Sequence, residues 1–261
     1  MKNLSKNKIL PVVVSVFLML GISSCWKNKE AGKVQLNFNL EWFGESVMVG
    51  DTISYSENMP LRIEKFKTYI DDVTLIGSDG ARYSSGSINL IEFMMDDVNI
   101  TVSYDATILK RGIEVDSISF GLGVPAEVNA LDNAPSTFSN DHPLGTIGGA
   151  GMYWTWETGY IFTKFEGKLA SAEGEAFTTP FAFHTGTDEY YRTVTLPFPS
   201  STVIAAEDLK EFNIVLDLGE TIESSEDEID LTDNAVTHTL NYPELAERYV
   251  NLLEYAWTLS E

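Results

Sequence analysis

The amino-acid sequence predicts an all-β protein, an antiparallel β-sandwich with long loops and one C-terminal α-helix. Three observations carry this prediction: an alternating first strand, many short apolar segments bounded by turn residues, and a single segment with helical spacing. The chain has 261 residues, of which 44% are hydrophobic, so it can bury a sizeable core and is not a disordered chain.

The N-terminus has the pattern of an export segment. Three lysines precede an apolar stretch at 9–22, which is shorter than the roughly 20 residues of a membrane span. Small residues then lead into Cys25, the single cysteine of the chain, in a pattern that resembles the bacterial lipoprotein cleavage box. An ordinary signal peptide with an incidental cysteine is the alternative. The predicted divisions are a lipoprotein signal peptide at 1–24, a tether at 25–33 that begins at the lipid-anchored Cys25, and one domain at 34–261.

The domain begins with a strand in which Val34, Leu36, Phe38 and Leu40 alternate with polar residues, the period of a half-buried strand. A Gly-Ser-Asp-Gly turn follows the next candidate strand. All the strand candidates after the first are short apolar segments punctuated by Gly, Pro, Asn and Asp: 69–76, which this turn follows, 118–124, 159–165, 180–184, 192–196 and 211–217.

The helix is predicted near the C-terminus, with Pro243 at its first position. Its apolar face, expected to pack against the sheet, consists of Leu245, Tyr249, Leu252, Leu253, Ala256 and Trp257. The preceding segment at 219–233 is rich in Asp and Glu without a base, which predicts a solvated loop.

Charge excludes one class of partner. The net charge is −22, and it becomes −25 when the three lysines of residues 1–24 are removed, so nucleic acid is not an expected ligand. Such a charge favours a cation or a basic partner. With Cys25 acylated, thiol chemistry is excluded as well. No nucleophile–base motif is visible, and the prediction is that the protein is not an enzyme.

The most distinctive segment is 148–167, which holds two of the five tryptophans. Trp154 and Trp156 are two residues apart, a spacing that puts both rings on one face of a strand. Two interpretations stay open: an aromatic layer of the core, or a pair of oxidisable indoles beside a metal or redox partner.

This segment resembles the signature of the MbnP-like family, proteins first associated with methanobactin operons. The pattern is Met-Tyr-Trp-x-Trp-x-x-Gly-Tyr-x-Phe-x-x-x-Glu-Gly, starting at Met152. Other pieces are similar in the same order, so that the resemblance covers roughly 34–259: the first strand ending near Trp42, 69–75 with Asp79-Gly80, 120–125 with Asn129, 142–144, 183–186 and the terminal helix with Asn251.

The resemblance implies a secreted, non-enzymatic copper-binding β-sandwich. Relatives use imidazoles together with a kynurenine made from tryptophan, and occur beside a dihaem cytochrome c peroxidase of the MauG type. Lipoprotein members of Bacteroidetes type are similar to this chain, which implies a lipid anchor in the cell envelope. The expected membrane is the outer one, and the absence of a dense acidic run after Cys25 favours its periplasmic face.

The chain departs from the family pattern near its first strand. Copper-binding relatives tend to carry a histidine there, and residues 38–44 contain none. Glu41 would suit Cu(II) and Met152 would suit Cu(I) as substitutes, and the sequence does not choose between them.

The candidate metal ligands are His184 first, His142 second and His238 third. The candidates for a modified tryptophan are Trp154, Trp156 and Trp42.

Two other functions stay open. One is a metal-free structural or interaction lipoprotein that keeps only the fold. The other is a carbohydrate- or surface-binding module, which requires exposed aromatic side chains and is excluded if Trp154 and Trp156 are both buried.

Overall fold

The computed structural model describes residues 32–93, 98–109, 111–130, 132–155, 159–233 and 235–260. The predicted signal peptide, the anchor Cys25 and Trp156 lie outside these residues. Of the predicted tether, only its last two residues are described, and they already belong to the first strand.

Fifteen strands, two α-helices and two 3-10 helices of three residues each are present in the described residues. The strands are β1 (Gly32–Trp42), β2 (Glu45–Val47), β3 (Thr52–Ser56), β4 (Met59–Gly77), β5 (Arg82–Ser84), β6 (Ile88–Phe93), β7 (Val98–Tyr104), β8 (Ile113–Leu122), β9 (Tyr153–Trp154), β10 (Gly159–Ala170), β11 (Phe177–Gly186), β12 (Arg192–Ile204), β13 (Leu209–Asp217), β14 (Val236–Thr237) and β15 (Trp257–Ser260). The α-helices are α1 (Ala106–Leu109) and α2 (Pro243–Tyr255). None of the described helices is long and apolar enough to cross a membrane.

The strands form two sheets. The smaller has the order β15-β13-β1-β2, with β7 also paired to β1. The larger has the order β12-β8-β4-β10-β11-β14, with β3, β5 and β6 paired to β4 and β9 paired to β10. This confirms the predicted all-β class with a C-terminal helix. The sheets are mixed, because β1 pairs with β13 and β11 pairs with β14 in parallel.

The main core lies between the two sheets. The apolar side chains of β1 alternate as predicted, and Val34 and Leu36 are completely buried. Trp257 joins the sheets, since its ring packs edge-on against Phe38 at 6.2 Å and against Phe120 at 5.6 Å between ring centroids. Trp257 was predicted on the helix, which is wrong: α2 ends at Tyr255, and Trp257 begins β15 because its backbone pairs with β13.

A second apolar cluster lies apart from this core, and we call it the aromatic cap. Its buried members are Tyr69, Val124, Leu144, Met152, Trp154, Tyr160, Ile161 and Phe162. Tyr69 packs edge-on against Tyr160 and donates its hydroxyl to the carbonyl of Pro143 at 2.9 Å. The cap therefore ties a loop that follows β8 onto the outer face of the larger sheet.

The acidic segment 219–233 forms turns at the surface. Its acidic side chains are exposed for the most part, as predicted, but the segment is anchored by apolar side chains. Ile222, Ile229 and Leu231 are buried, which fixes a loop that charge alone would leave solvated.

Candidate functional site

A row of ionisable side chains crosses the outer face of the larger sheet beside the aromatic cap. Lys67 of β4 is directly opposite Lys164 of β10, and Lys164 is directly opposite His184 of β11. Opposite residues share one face of a sheet. Glu92 extends the row on one side through an ion pair of 2.6 Å to Lys67, and His238 ends it on the other. We call these five residues the polar row.

His238 stacks on His184. Their ring centroids are 4.6 Å apart and their planes differ by 14°. The parallel pairing of β11 with β14 brings them together, since Thr237 is opposite Phe183 and each histidine is the next residue. Thr239 then donates its hydroxyl to the carbonyl of His184 at 3.0 Å, which locks the two segments.

Glu166 holds the imidazole of His184. Its Oε1 lies 2.8 Å from His184 Nε2, and its Oε2 lies 3.1 Å from the ammonium of Lys65. The hydrogen bond to His184, with the charge of Lys65, lowers the pKa of Glu166 to about 2 against the opposing effect of burial. An ionised carboxylate only accepts, so Nε2 donates and the lone pair of a neutral His184 ring lies on Nδ1.

His238 carries an unsatisfied nitrogen. Its Nδ1 is buried without a hydrogen-bond partner in the described part of the chain. Burial lowers the pKa of His238, and repulsion from His184 and Lys164 lowers it further. A neutral imidazole with a buried, unpartnered nitrogen carries a desolvation cost that native proteins seldom retain without reason.

Trp154 reaches the same face as the histidine pair. A Cβ on Gly186 would lie 2.5 Å from Cζ3 of Trp154, so the indole packs directly over this glycine. Gly186 is two residues after His184 on β11, hence on the same face and about 7 Å along the strand. Trp154 is buried, and its Nε1 also has no partner among the described residues.

His142 is elsewhere and is satisfied. Its ring stacks on Phe138 with centroids 4.8 Å apart, and its Nδ1 accepts the main-chain N–H of Leu144 at 3.1 Å. The structure thus pairs His184 with His238, the third candidate of the sequence, and places His142, the second, in a loop contact of its own.

The suggested substitutes for the missing histidine have other surroundings. Glu41 lies close enough to Glu220 to raise the pKa of that carboxyl, behind the larger effects of burial and Asp217. Met152 is completely buried in the aromatic cap. Trp42 is buried in the main core, edge-on to Phe43.

The donor set is smaller than a structural zinc site requires. Within the described residues, no group of three or more His, Cys, Asp or Glu side chains gathers as a metal site. Two imidazoles suit Cu(I), which accepts few ligands, whereas structural Zn²⁺ requires four. The lone pairs of each ring lie in its own plane and the planes are nearly parallel, so shared coordination requires one ring to turn.

Glu166 and the lysines of the row are not recognisable as neighbours of His184 from spacing alone. Their proximity depends on the registers of three strands. The signal that was available is that Glu166 closes the tryptophan motif of 152–167.

Comparison with known proteins gives one family. The profile of the MbnP family matches residues 31–240. MbnP from Methylosinus trichosporium, a solved structure, is similar with 14% sequence identity and a TM-score of 0.48, covering 83% of this chain and 87% of that chain. No curated protein matches this chain.

Proposed function

The chain belongs to the MbnP family, and from this premise we propose that it is a non-enzymatic, lipid-anchored protein of the cell envelope that binds copper through His184 and His238. Beside this pair, Trp154 is the tryptophan that a dihaem peroxidase partner oxidises to kynurenine.

The buried, unpartnered Nδ1 of His238 is the observation that carries the proposal. It lies next to His184, whose ring Glu166 orients so that its own Nδ1 is the free nitrogen. A carboxylate that fixes the far nitrogen of an imidazole is the usual outer-shell partner of a metal-binding histidine. Copper, when bound, would supply the soft cation that takes up these lone pairs.

The position of Trp154 supports its role. Oxidation to kynurenine removes four electrons: two molecules of peroxide cleave the Cγ–Cδ1 double bond, give one oxygen atom to each carbon and leave as two molecules of water. Water then hydrolyses the resulting N-formyl group and releases Cδ1 as formate. The reaction leaves a ketone and an aryl amine where the buried Nε1 now has no partner. The new polar groups would lie on the face that carries His184, because Trp154 packs over Gly186.

The lipid anchor and the envelope location rest on the sequence around Cys25. The N-terminal 24 residues have the charge and hydropathy of an export signal, and Cys25 follows at the position of a lipoprotein cleavage site. The anchor joins the domain through the short segment before β1.

A metal-free structural or interaction lipoprotein is the second candidate. It is favoured by the parallel stacking of the rings and by the absence of a three-ligand cluster in the described residues. In that case the stacked imidazoles have a structural role only, and they hold β14 against β11.

The deciding experiment combines intact mass with metal analysis on protein purified from its native host. We expect stoichiometric copper and the mass change of one tryptophan converted to kynurenine. Trp154→Phe should abolish the mass change. Trp257→Phe is the matched control, since its indole Nε1 is also buried without a partner but lies in the main core.

An unmodified, metal-free chain that also ignores added Cu(I) would reject the copper function and leave the structural candidate. A mass change that persists in Trp154→Phe would indicate that Trp156 or Trp42 is the oxidised residue.

A further inference from the structure

The polar row contains an arrangement that normally destabilises a sheet. Lys67 and Lys164 are directly opposite on antiparallel strands, where like charges repel. His184 is opposite Lys164 on the other side, so a carboxylate does not take either adjacent position. Proteins keep such conflicts mainly where function requires them.

The neighbouring cations each contact a carboxylate. Lys67 pairs with Glu92 at 2.6 Å and Lys65 pairs with Glu166 at 3.1 Å. Farther along β10, Lys168 pairs with Glu64 at 3.1 Å, and Glu64 also pairs with Arg62.

Lys164 is the exception. Its ammonium makes no ion pair or hydrogen bond within the described residues, although the whole chain has 39 acidic and only 17 basic side chains. The side chain is half-buried, and the carboxylate of Glu166, two residues along the same face, is bonded to His184 and Lys65. The cation is thus partly desolvated and lacks a counter-ion.

We propose that Lys164, flanked by Lys67 and His184, is the anchor of an oxyanion-binding site on this face, and that its ligand is a small molecule carrying a single carboxylate. One unneutralised positive charge matches a monoanion. A dianion would add repulsion from Glu166 and Glu92, which border the site. The inference does not depend on copper, because it concerns the lysine and its neighbours in the protein without added metal.

Binding is tested by NMR titration of the protein with sodium acetate, at an ionic strength held constant with sodium chloride. We expect saturable shifts of the main-chain amides of Lys164 and His184. Lys164→Met should weaken acetate binding by about tenfold or more, because a charge-assisted hydrogen bond is lost. Lys164→Arg should retain most of it.

Lys168→Met is the matched control, a lysine on the same strand and face whose ammonium is ion-paired with Glu64. It should leave acetate binding unchanged. Equal, non-saturating shifts in the original protein and in Lys164→Met would overturn the site, and tighter binding of phosphate than of acetate would overturn the assignment to a monocarboxylate.

Stability gives a second readout in the absence of ligand. Lys164→Met removes the repulsion with Lys67 and should raise the thermal midpoint by about 1–3 °C, whereas Lys168→Met should not raise it. A lower midpoint for Lys164→Met would mean that the lysine stabilises the sheet, and would contradict the proposal. Copper titration of the same variants tests the copper function separately.

Discussion

The three histidines divide into two environments that differ in how their nitrogens are satisfied. In the loop of the aromatic cap, His142 stacks on Phe138 and accepts the N–H of Leu144. At the end of the polar row, His238 stacks on His184 at a similar centroid distance, yet its Nδ1 is buried without a partner in the described chain.

Stacking alone therefore does not distinguish the two environments. The two environments differ in the desolvation cost of the unpartnered Nδ1 of His238. This cost is about 1–3 kcal/mol for a buried polar group. A ligand would recover that energy at His238, whereas a ligand at His142 would first have to break an existing hydrogen bond.

The largest expected effect is on Cu(I) affinity. His238→Phe keeps a stacked ring but removes both nitrogens, and should weaken Cu(I) binding by at least about 100-fold, more than the loss of an outer-shell partner usually costs. His142→Phe makes the same change in the loop and should leave the affinity unaltered. Competition with a chromophoric Cu(I) chelator measures the affinity of both variants. An equal loss of affinity in the two would mean that the two environments do not differ in copper binding.

Substitutions at two glycines test whether the packing around each environment affects stability and copper binding. A Cβ on Gly186 would lie 2.5 Å from the ring of Trp154 and from the carbonyl of Tyr160, so Gly186→Ala should cost about 1–3 kcal/mol of unfolding free energy. Gly148→Ala brings a Cβ within 2.3 Å of the carbonyl of His142 and should cost a similar amount. Urea denaturation measures both.

The two variants should differ in copper binding. Gly186→Ala displaces the indole beside His184 and should lower Cu(I) affinity. Gly148→Ala should not, although it is equally destabilised. If both retain the affinity of the original protein, Trp154 does not contribute to the site.

The next largest effect on Cu(I) affinity is expected from Glu166, which orients His184. Glu166→Ala removes the carboxylate that fixes Nε2 and should weaken Cu(I) binding by about tenfold. Glu166→Gln keeps an acceptor oxygen and should lose less. Glu64→Gln, a change on the same face that leaves His184 untouched, is the control and should retain the original affinity.

The smallest effect concerns stability in the absence of metal, and its sign should differ between the two environments. His142→Phe loses the acceptor for Leu144 and should cost about 1 kcal/mol. His238→Phe removes a buried, unpartnered nitrogen and should cost nothing or stabilise the protein. Thermal unfolding of both variants decides, and a clear loss in His238→Phe would favour the structural candidate.

Short-range patterns in the sequence predicted much of the fold. The alternation of β1 and the start of α2 at Pro243 follow from periodicity and from helix-start chemistry, and both are confirmed. The first half of β4 was not predicted, because a bulge between Ile63 and Lys65 interrupts the alternation of buried and exposed residues.

The site was harder to predict. The pairing of His184 with His238 depends on β14, which is two residues long and has no periodicity to detect. Its parallel contact with β11 joins residues 54 positions apart in the chain. The resemblance to the MbnP family led to His184 and to Trp154, whereas Lys164 and Glu166 as its neighbours required the strand registers.

The parallel pairing of β1 with β13 also governs how the molecule acquires its structure. Lys33 of the first strand is aligned with Leu209, 176 positions later, so the smaller sheet cannot close until nearly the whole domain is available. Contacts of such long sequence separation slow folding to the millisecond-to-second range or beyond. Until β13 arrives, β1 has a free edge and an uncovered apolar face, which makes this strand the part of the newly made chain most exposed to aggregation and most in need of a chaperone.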